Sequence, residues 1–424
     1  MQARTNKMIA EWRVLCQDEL RDDIELLLNE IGQALRTIQE AGDLASGSAG
    51  LAVFYAYMAL AQPGKGWEED AERYLDQAVS SLTEGVQRPH LYGGFTGIAW
   101  AIEHLQSRIP GLGEEDLNED VDTALEGLLT TDSWHRSYDL ISGLVGYGIY
   151  ALERIHRPTG PRILAQVISH LDRMKEVRED GLTWHTASFL LPSWQRQDHP
   201  SGYYNLGVAH GVPGVIGLLG HASAQSVTPQ CTEDLVEGAV RWLLAQQAPS
   251  GSLSAFETLA YPSAPSEAPS RIAWCYGDLG LSVSLLAAAR SSRRQDWEIR
   301  AREIASGAAS RDLSTAGAVD GGLCHGAAGN AHLFNRLWQA TGDPIYREAS
   351  LRWLNGTLSI RVPGVGIAGF QAWAGAKPGS LEPTWCTVPG FLEGAAGIGL
   401  SLISSIYPVT PHWDRVLMAS IPES

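Results

Sequence analysis

Cysteine is scarce in this chain. Five thiols, Cys16, Cys231, Cys275, Cys324 and Cys386, are spread over 424 residues. An odd and sparse set excludes a disulfide framework and points to a reducing compartment. Positive charge is also short: 31 Lys and Arg stand against 48 Asp and Glu, for a net charge of −17. That sign excludes a generic nucleic-acid binder and makes an anionic membrane surface an unsuitable partner. No Gly-x-x-x-x-Gly-Lys loop is present to cradle a nucleotide phosphate.

One uncharged run toward the N-terminal end approaches transmembrane length. Leu44 to Gly64 carries no charge, but Gly47, Gly50, Pro63 and Gly64 interrupt it, and its pattern recurs in shorter form downstream. A buried helix accounts for this better than a membrane span. Near the N-terminus Arg4 and Lys7 lead straight into Glu11, Asp18 and Glu19, with no apolar stretch of a signal peptide. The expected location is the cytoplasm.

With 44% hydrophobic and 19% charged residues, the chain can bury a large core and is not disordered. Glycine is plentiful, and its 45 occurrences are patterned. A Gly-x-x-Gly unit followed by an apolar run occurs seven times, beginning at Gly47, Gly94, Gly143, Gly211, Gly277, Gly326 and Gly394. The steps between units are 47, 49, 68, 66, 49 and 68 residues. A period of this length marks a stacked supersecondary unit. Each unit opens a nearly charge-free helix such as Leu51 to Ala61 or Ile398 to Ile406, and a helix apolar on all sides belongs inside.

Ahead of each unit lies an amphipathic helix. Leu20, Ile24, Leu27, Leu28, Ile31 and Leu35 trace one face of the first. Ile163, Leu164, Val167, Ile168, Leu171 and Met174 form another, as do Leu235, Val236, Ala239, Val240 and Leu243 after Thr232 as an N-cap. Weaker patterns lie near residues 66–85, 115–130, 295–309 and 343–358. The first and last inner helices are as apolar as the middle ones, whereas an open solenoid needs polar caps. The expected fold is all-α: a closed α/α toroid of seven inner and seven outer helices. It forms one domain over 1–424, with repeats from about 18 to 409. The three long steps exceed the others by about 20 residues, room for loops or a hairpin. The loops 178–209, 248–276 and 359–393 carry Trp184, His185, Trp194, Pro262, Pro265, Pro269, Trp373 and Trp385, and are expected to wall one mouth.

The two residues before each first glycine are Ala45-Ser46, Tyr92-Gly93, Ile141-Ser142, Ala209-His210, Cys275-Tyr276, Cys324-His325 and Leu392-Glu393. Ring closure gathers these positions at one end of the axis. Cys275, Cys324 and His325 are then a set of zinc ligands, since both cysteines fill the same position of adjacent repeats. Helix N-termini stabilise thiolates, and three protein ligands leave a fourth position open. Cys16, Cys231 and Cys386 read as ordinary free thiols, although the loop of Cys386 can bring it near the site. His210 is an acid/base candidate, with a helix-capping histidine as its competing reading. Asp139 can orient His210 or cap its own helix. Arg271 and Tyr276 border the trio, where either can stabilise a developing anion; Arg271 can instead pair with a surface carboxylate.

Trp274-Cys275-Tyr276-Gly277-Asp278, Gly322-Leu323-Cys324-His325-Gly326-Ala327-Ala328-Gly329 and Ala209-His210-Gly211-Val212-Pro213-Gly214 resemble the lanthionine synthetase C-like family, the lanthipeptide cyclases. The resemblance covers nearly the whole chain, including the seven glycine units. It implies Zn2+ held by Cys275, Cys324 and His325, an active-site His210, and polar groups Asp139, Arg271 and Tyr276 around it. It further implies a stand-alone cyclase that joins peptide cysteines to dehydroalanine or dehydrobutyrine as thioethers. Its substrate would be a dehydrated precursor peptide with its leader, and a dehydratase and an exporter would be further partners. Three other readings stay open: addition of glutathione to dehydrated residues in proteins, a glycoside hydrolase using Asp139 and Glu393, and a non-catalytic peptide-binding toroid.

Overall fold

A helix with almost no charge is stable in water only when other helices surround it, and seven such helices stand side by side about one axis. The computed structural model describes residues 12–16, 19–38, 42–83, 87–106, 108, 115–261, 269–376 and 383–423. Arg4, Lys7, Glu11, Asp18, Pro262 and Pro265 lie outside the described residues. In chain order the helices are α1 (Glu19–Leu35), α2 (Ser48–Ala61), α3 (Trp67–Ser81), α4 (Phe95–Gln106), α5 (Glu119–Leu129), α6 (Leu144–Glu153) and α7 (Thr159–Met174). After the short α8 (Ser193–Asp198) come α9 (Val212–Ser223), α10 (Pro229–Ala245), α11 (Asp278–Ser291), α12 (Gln295–Ser310), α13 (Ala327–Thr341), α14 (Pro344–Ser359) and α15 (Ala395–Ile406).

The inner helices α2, α4, α6, α9, α11, α13 and α15 pack each against the next, and α15 packs against α2, so the ring closes. The outer helices show one buried stripe, as their periodicity requires: Ile24, Leu28, Ile31 and Leu35 in α1 are fully buried. The structure is an all-α toroid of seven inner and seven outer helices. Pairing differs from the sequence expectation. Each outer helix packs more closely on the inner helix before it than on the one after, as α3 does on α2 and α14 on α13. The seventh pair therefore joins the chain's two ends, α1 on α15. Trp12 reinforces this seam by donating its indole N–H to the Ser404 carbonyl at 2.7 Å.

The chain also starts α10 four residues earlier than Thr232 as an N-cap indicates. Pro229, with its φ already fixed, supplies the first turn, and Thr232 donates its hydroxyl back to the Thr228 carbonyl within the helix.

A belt of backbone hydrogen bonds runs around the mouth. Ala45 N–H donates to Tyr92 O, Tyr92 to Ile141, Leu140 to Ala209, Ala209 to Cys275, Cys275 to Cys324, Cys324 to Leu392, and Leu392 back to Ala45. These are the positions two before each first glycine, except Leu140, which stands three before Gly143. The second glycine of each unit makes the belt possible. At Gly280 and Gly329 an added Cβ would collide with the carbonyl six residues back, Trp274 and Leu323 respectively.

The long steps hold short paired strands and the short helix α8. β1 (Glu176–Arg178) pairs with β2 (Gly181–Thr183), β3 (Tyr204–Asn205) with β4 (Leu259–Ala260), and β5 (Ala372–Ala376) with β6 (Pro383–Cys386), all antiparallel. Past α15 a 3-10 segment, His412–Leu417, turns into the axis and buries Trp413, Asp414, Val416 and Met418 completely. No described helix is long and apolar enough to cross a membrane.

Candidate functional site

The belt fixes the height of every loop that precedes an inner helix, so side chains far apart in sequence meet at its mouth. Cys275 N–H donates to the Cys324 carbonyl at 3.3 Å, which sets the two loops edge to edge. The Cys275 and Cys324 sulfurs and a His325 ring nitrogen all lie within 4.8 Å of one another. Hydrogen bonds from Cys324 and then His325 pull the Cys275 thiol well below its ordinary pKa, against the opposing effect of burial. Sharing that proton pushes Cys324 up. Burial alone would lower the His325 pKa, yet its bond to the Cys275 sulfur raises it.

Two thiols and an imidazole in mutual reach are a soft donor set suited to zinc, whose tetrahedral bonds place ligand atoms about 3.5–4 Å apart. Among the described residues this is the one group of three or more His, Cys, Asp or Glu side chains gathered for a metal.

His210 stands one repeat before Cys275, at the start of α9. Its Nδ1 bonds to Asp139 Oδ2 at 2.5 Å. Its other oxygen accepts from the Ser142 backbone N–H at 2.8 Å and hydroxyl at 3.1 Å, a turn ahead of α6 whose N-cap is Gly143, so Asp139 pairs with His210 and does not cap the helix. Burial opposes a charge on each partner. The bond between them nevertheless raises the His210 pKa and lowers that of Asp139. Protein surrounds His210 closely, yet 42% of its side chain is open to the cavity.

Tyr276 leans toward His210, with ring centroids 6.2 Å apart. Its hydroxyl accepts from Asn205 Nδ2 at 3.1 Å, and burial pushes its pKa up so that it stays protonated. Arg271 is exposed at the rim, and its charge lowers the pKa of both cysteines. A cavity of about 200 Å³ opens over Asp139, His210 and Tyr276, walled by Thr186, Gln195 and Tyr203 from the first long loop. Glu393, considered as a hydrolase carboxylate, instead lies beside His325 with its pKa raised by burial, one position of an arc His210, Tyr276, His325, Glu393.

Three contributors were not foreseen. Asn205 orients Tyr276, and Ser142 steadies Asp139. Buried Asp320 accepts from Gly322 N–H at 3.0 Å and from Trp373 N–H at 2.8 Å, which ties the β5–β6 hairpin to the Cys324 loop. Asn205 and Asp320 each stand six residues before a first glycine, a position that the two-residue alignment did not reach.

Residues 39–418 match a family model described as lanthionine synthetase C-like protein. The chain is 23% identical over 352 residues to nisin biosynthesis protein NisC of Lactococcus lactis subsp. lactis, covering 78% of this chain and 83% of that one. It is 26% identical over 220 residues to LanC-like protein GCL1 of Arabidopsis thaliana, half of this chain and 45% of the other. Among solved structures, a nisin cyclase superposes with a TM-score of 0.73 at 18% identity, over 95% of this chain and 98% of the other. A cellobiose 2-epimerase from Bacillus thermoamylovorans superposes with a TM-score of 0.51 at 9% identity, over 90% and 98%, a likeness of fold alone.

Proposed function

The chain belongs to the lanthionine synthetase C-like family, and from that premise we propose that it closes thioether rings in a dehydrated precursor peptide with zinc as its cofactor. The observation that carries this reading is the meeting of Cys275, Cys324 and His325 within 4.8 Å, with Cys324 and His325 only partly buried. These three side chains would hold the metal, which when bound supplies a Lewis acid that lowers the pKa of a substrate cysteine.

The rest falls to this chain's own groups. The thiolate adds to the β-carbon of dehydroalanine or dehydrobutyrine. A carbon–sulfur bond forms, and the alkene electron pair moves onto the α-carbon and its carbonyl as an enolate. His210, held protonated by Asp139, is the acid that delivers a proton to the α-carbon. Tyr276 stays a hydroxyl donor beside it, and the exposed cation of Arg271 faces the developing negative charge. The walls from the first long loop hold the peptide over this arc and limit water. A dehydratase that prepares the substrate and an exporter that removes the product complete the set of partners we propose, with action in the cytoplasm.

The test incubates the protein with a dehydrated precursor peptide, with and without glutathione, and reads masses after thiol alkylation. Ring closure leaves the peptide mass unchanged and removes alkylatable thiols. A mass gain of one glutathione assigns the glutathione-adding reaction instead. Peptide binding with neither change assigns a non-catalytic toroid.

A further inference from the structure

The axis of the ring is filled by the chain's own C-terminal segment. From Pro411, whose carbonyl accepts from Arg336 at 3.0 Å, the segment climbs between the inner helices. It turns near Met418, a residue with φ of 55°, and comes back down to Pro422, whose carbonyl accepts from Arg290 at the end of α11. Asp414 anchors it: Arg336 reaches both carboxylate oxygens, at 2.7 and 2.5 Å, and His332 bonds to one at 2.7 Å. Trp413 wedges between His332 and Phe391, with centroids 4.5 and 5.8 Å away.

At the turn, two carbonyls point up toward the belt. Val416 O accepts from the Tyr92 hydroxyl at 2.9 Å, and Leu417 O accepts from the Trp274 indole N–H at 2.8 Å. Tyr92 and Trp274 meet over the segment with centroids 6.0 Å apart. Trp274 is buried and is directly bonded in the chain to Cys275. Tyr92 is close enough to Cys324 for that thiol's charge to act on it.

We propose that this C-terminal segment is the floor of the metal centre, and that Trp274, through its bond to Leu417, is a positioning residue that holds Cys275 at the height where its sulfur meets Cys324 and His325. The physical reason is the cost of an unpaired buried N–H. While Leu417 O is in place, the indole has one favourable orientation, and the peptide link to Cys275 is fixed with it. Groups that orient metal ligands from behind commonly change affinity by about 10- to 100-fold when removed. The inference rests on the metal reading above.

The test titrates metal-free protein with Co2+, following thiolate-to-cobalt absorption, in wild type, Trp274→Phe and Tyr55→Phe. Tyr55→Phe removes a buried hydroxyl bond of the same kind, to Gly32 O at 2.6 Å, in a part of the ring away from the trio. Trp274→Phe is expected to bind cobalt about tenfold more weakly with a shifted band. Tyr55→Phe is expected to lower the melting temperature and leave affinity within about twofold of wild type. Affinity within twofold and an unchanged band in Trp274→Phe overturn the proposal. If that variant does not fold, Tyr92→Phe decides by the same criterion, since it releases the neighbouring carbonyl. A wild type that takes up no cobalt overturns the metal centre itself, and the positioning role falls with it.

Discussion

His210 is poised between two opposing influences. Burial disfavours its charge, and the Asp139 carboxylate restores it through a 2.5 Å bond. In the proposed reaction the protonated ring is the active form, so the rate is lost as pH rises through the His210 pKa. Removing the Asp139 charge lowers that pKa, and Asp139→Asn is expected to move the alkaline limb of the rate profile to lower pH. His210→Asn is expected to lower the rate by about 10²- to 10³-fold with metal content unchanged. An alkaline limb that stays in place in Asp139→Asn would contradict the pairing. The trio and His210 could be read from the sequence because they occupy one register of a visible repeat. Asn205, Ser142 and Asp320 could not, because what recruits them is a single hydrogen bond to a neighbour fixed only by tertiary structure.

Among elements, the glycine units decide how closely loop and helix approach. Gly280 lies against the Trp274 carbonyl with no space for a methyl group, whereas Gly127, exposed on α5, faces open space. Gly280→Ala is expected to cost about 2–3 kcal/mol through overpacking against backbone. Gly127→Ala is expected to stabilise by about 0.5–1 kcal/mol through helix propensity alone. Thermal unfolding of the two variants checks this contrast, and equal shifts of one sign would contradict it. The helices themselves were legible from periodicity, since a one-sided stripe and an all-round apolar run are different patterns. Their pairing was not. Order along the chain places an outer helix before each inner one, but a short tight connection docks it on the helix it follows, and only the closed ring shows α1 completing α15.

For the whole molecule, closure turns separation in sequence into proximity. Cys275, Cys324 and Leu392 are linked by consecutive bonds of the belt, and Leu392 passes the chain of bonds back to Ala45. Closure was legible because neither end of the repeat array carries a polar cap. The axial segment was not, because residues 408–423 show neither helical nor strand periodicity; they are held by an aspartate, an arginine and two carbonyls that only the finished ring presents. The account depends on three donors from two loops sharing one ion. Elemental analysis of zinc-loaded protein after exhaustive dialysis, wild type beside Cys275→Ala, measures this directly. The expected result is about one zinc per chain in wild type and a near-complete loss in the variant. A wild type that emerges without zinc, or a variant that keeps as much as wild type, would contradict it.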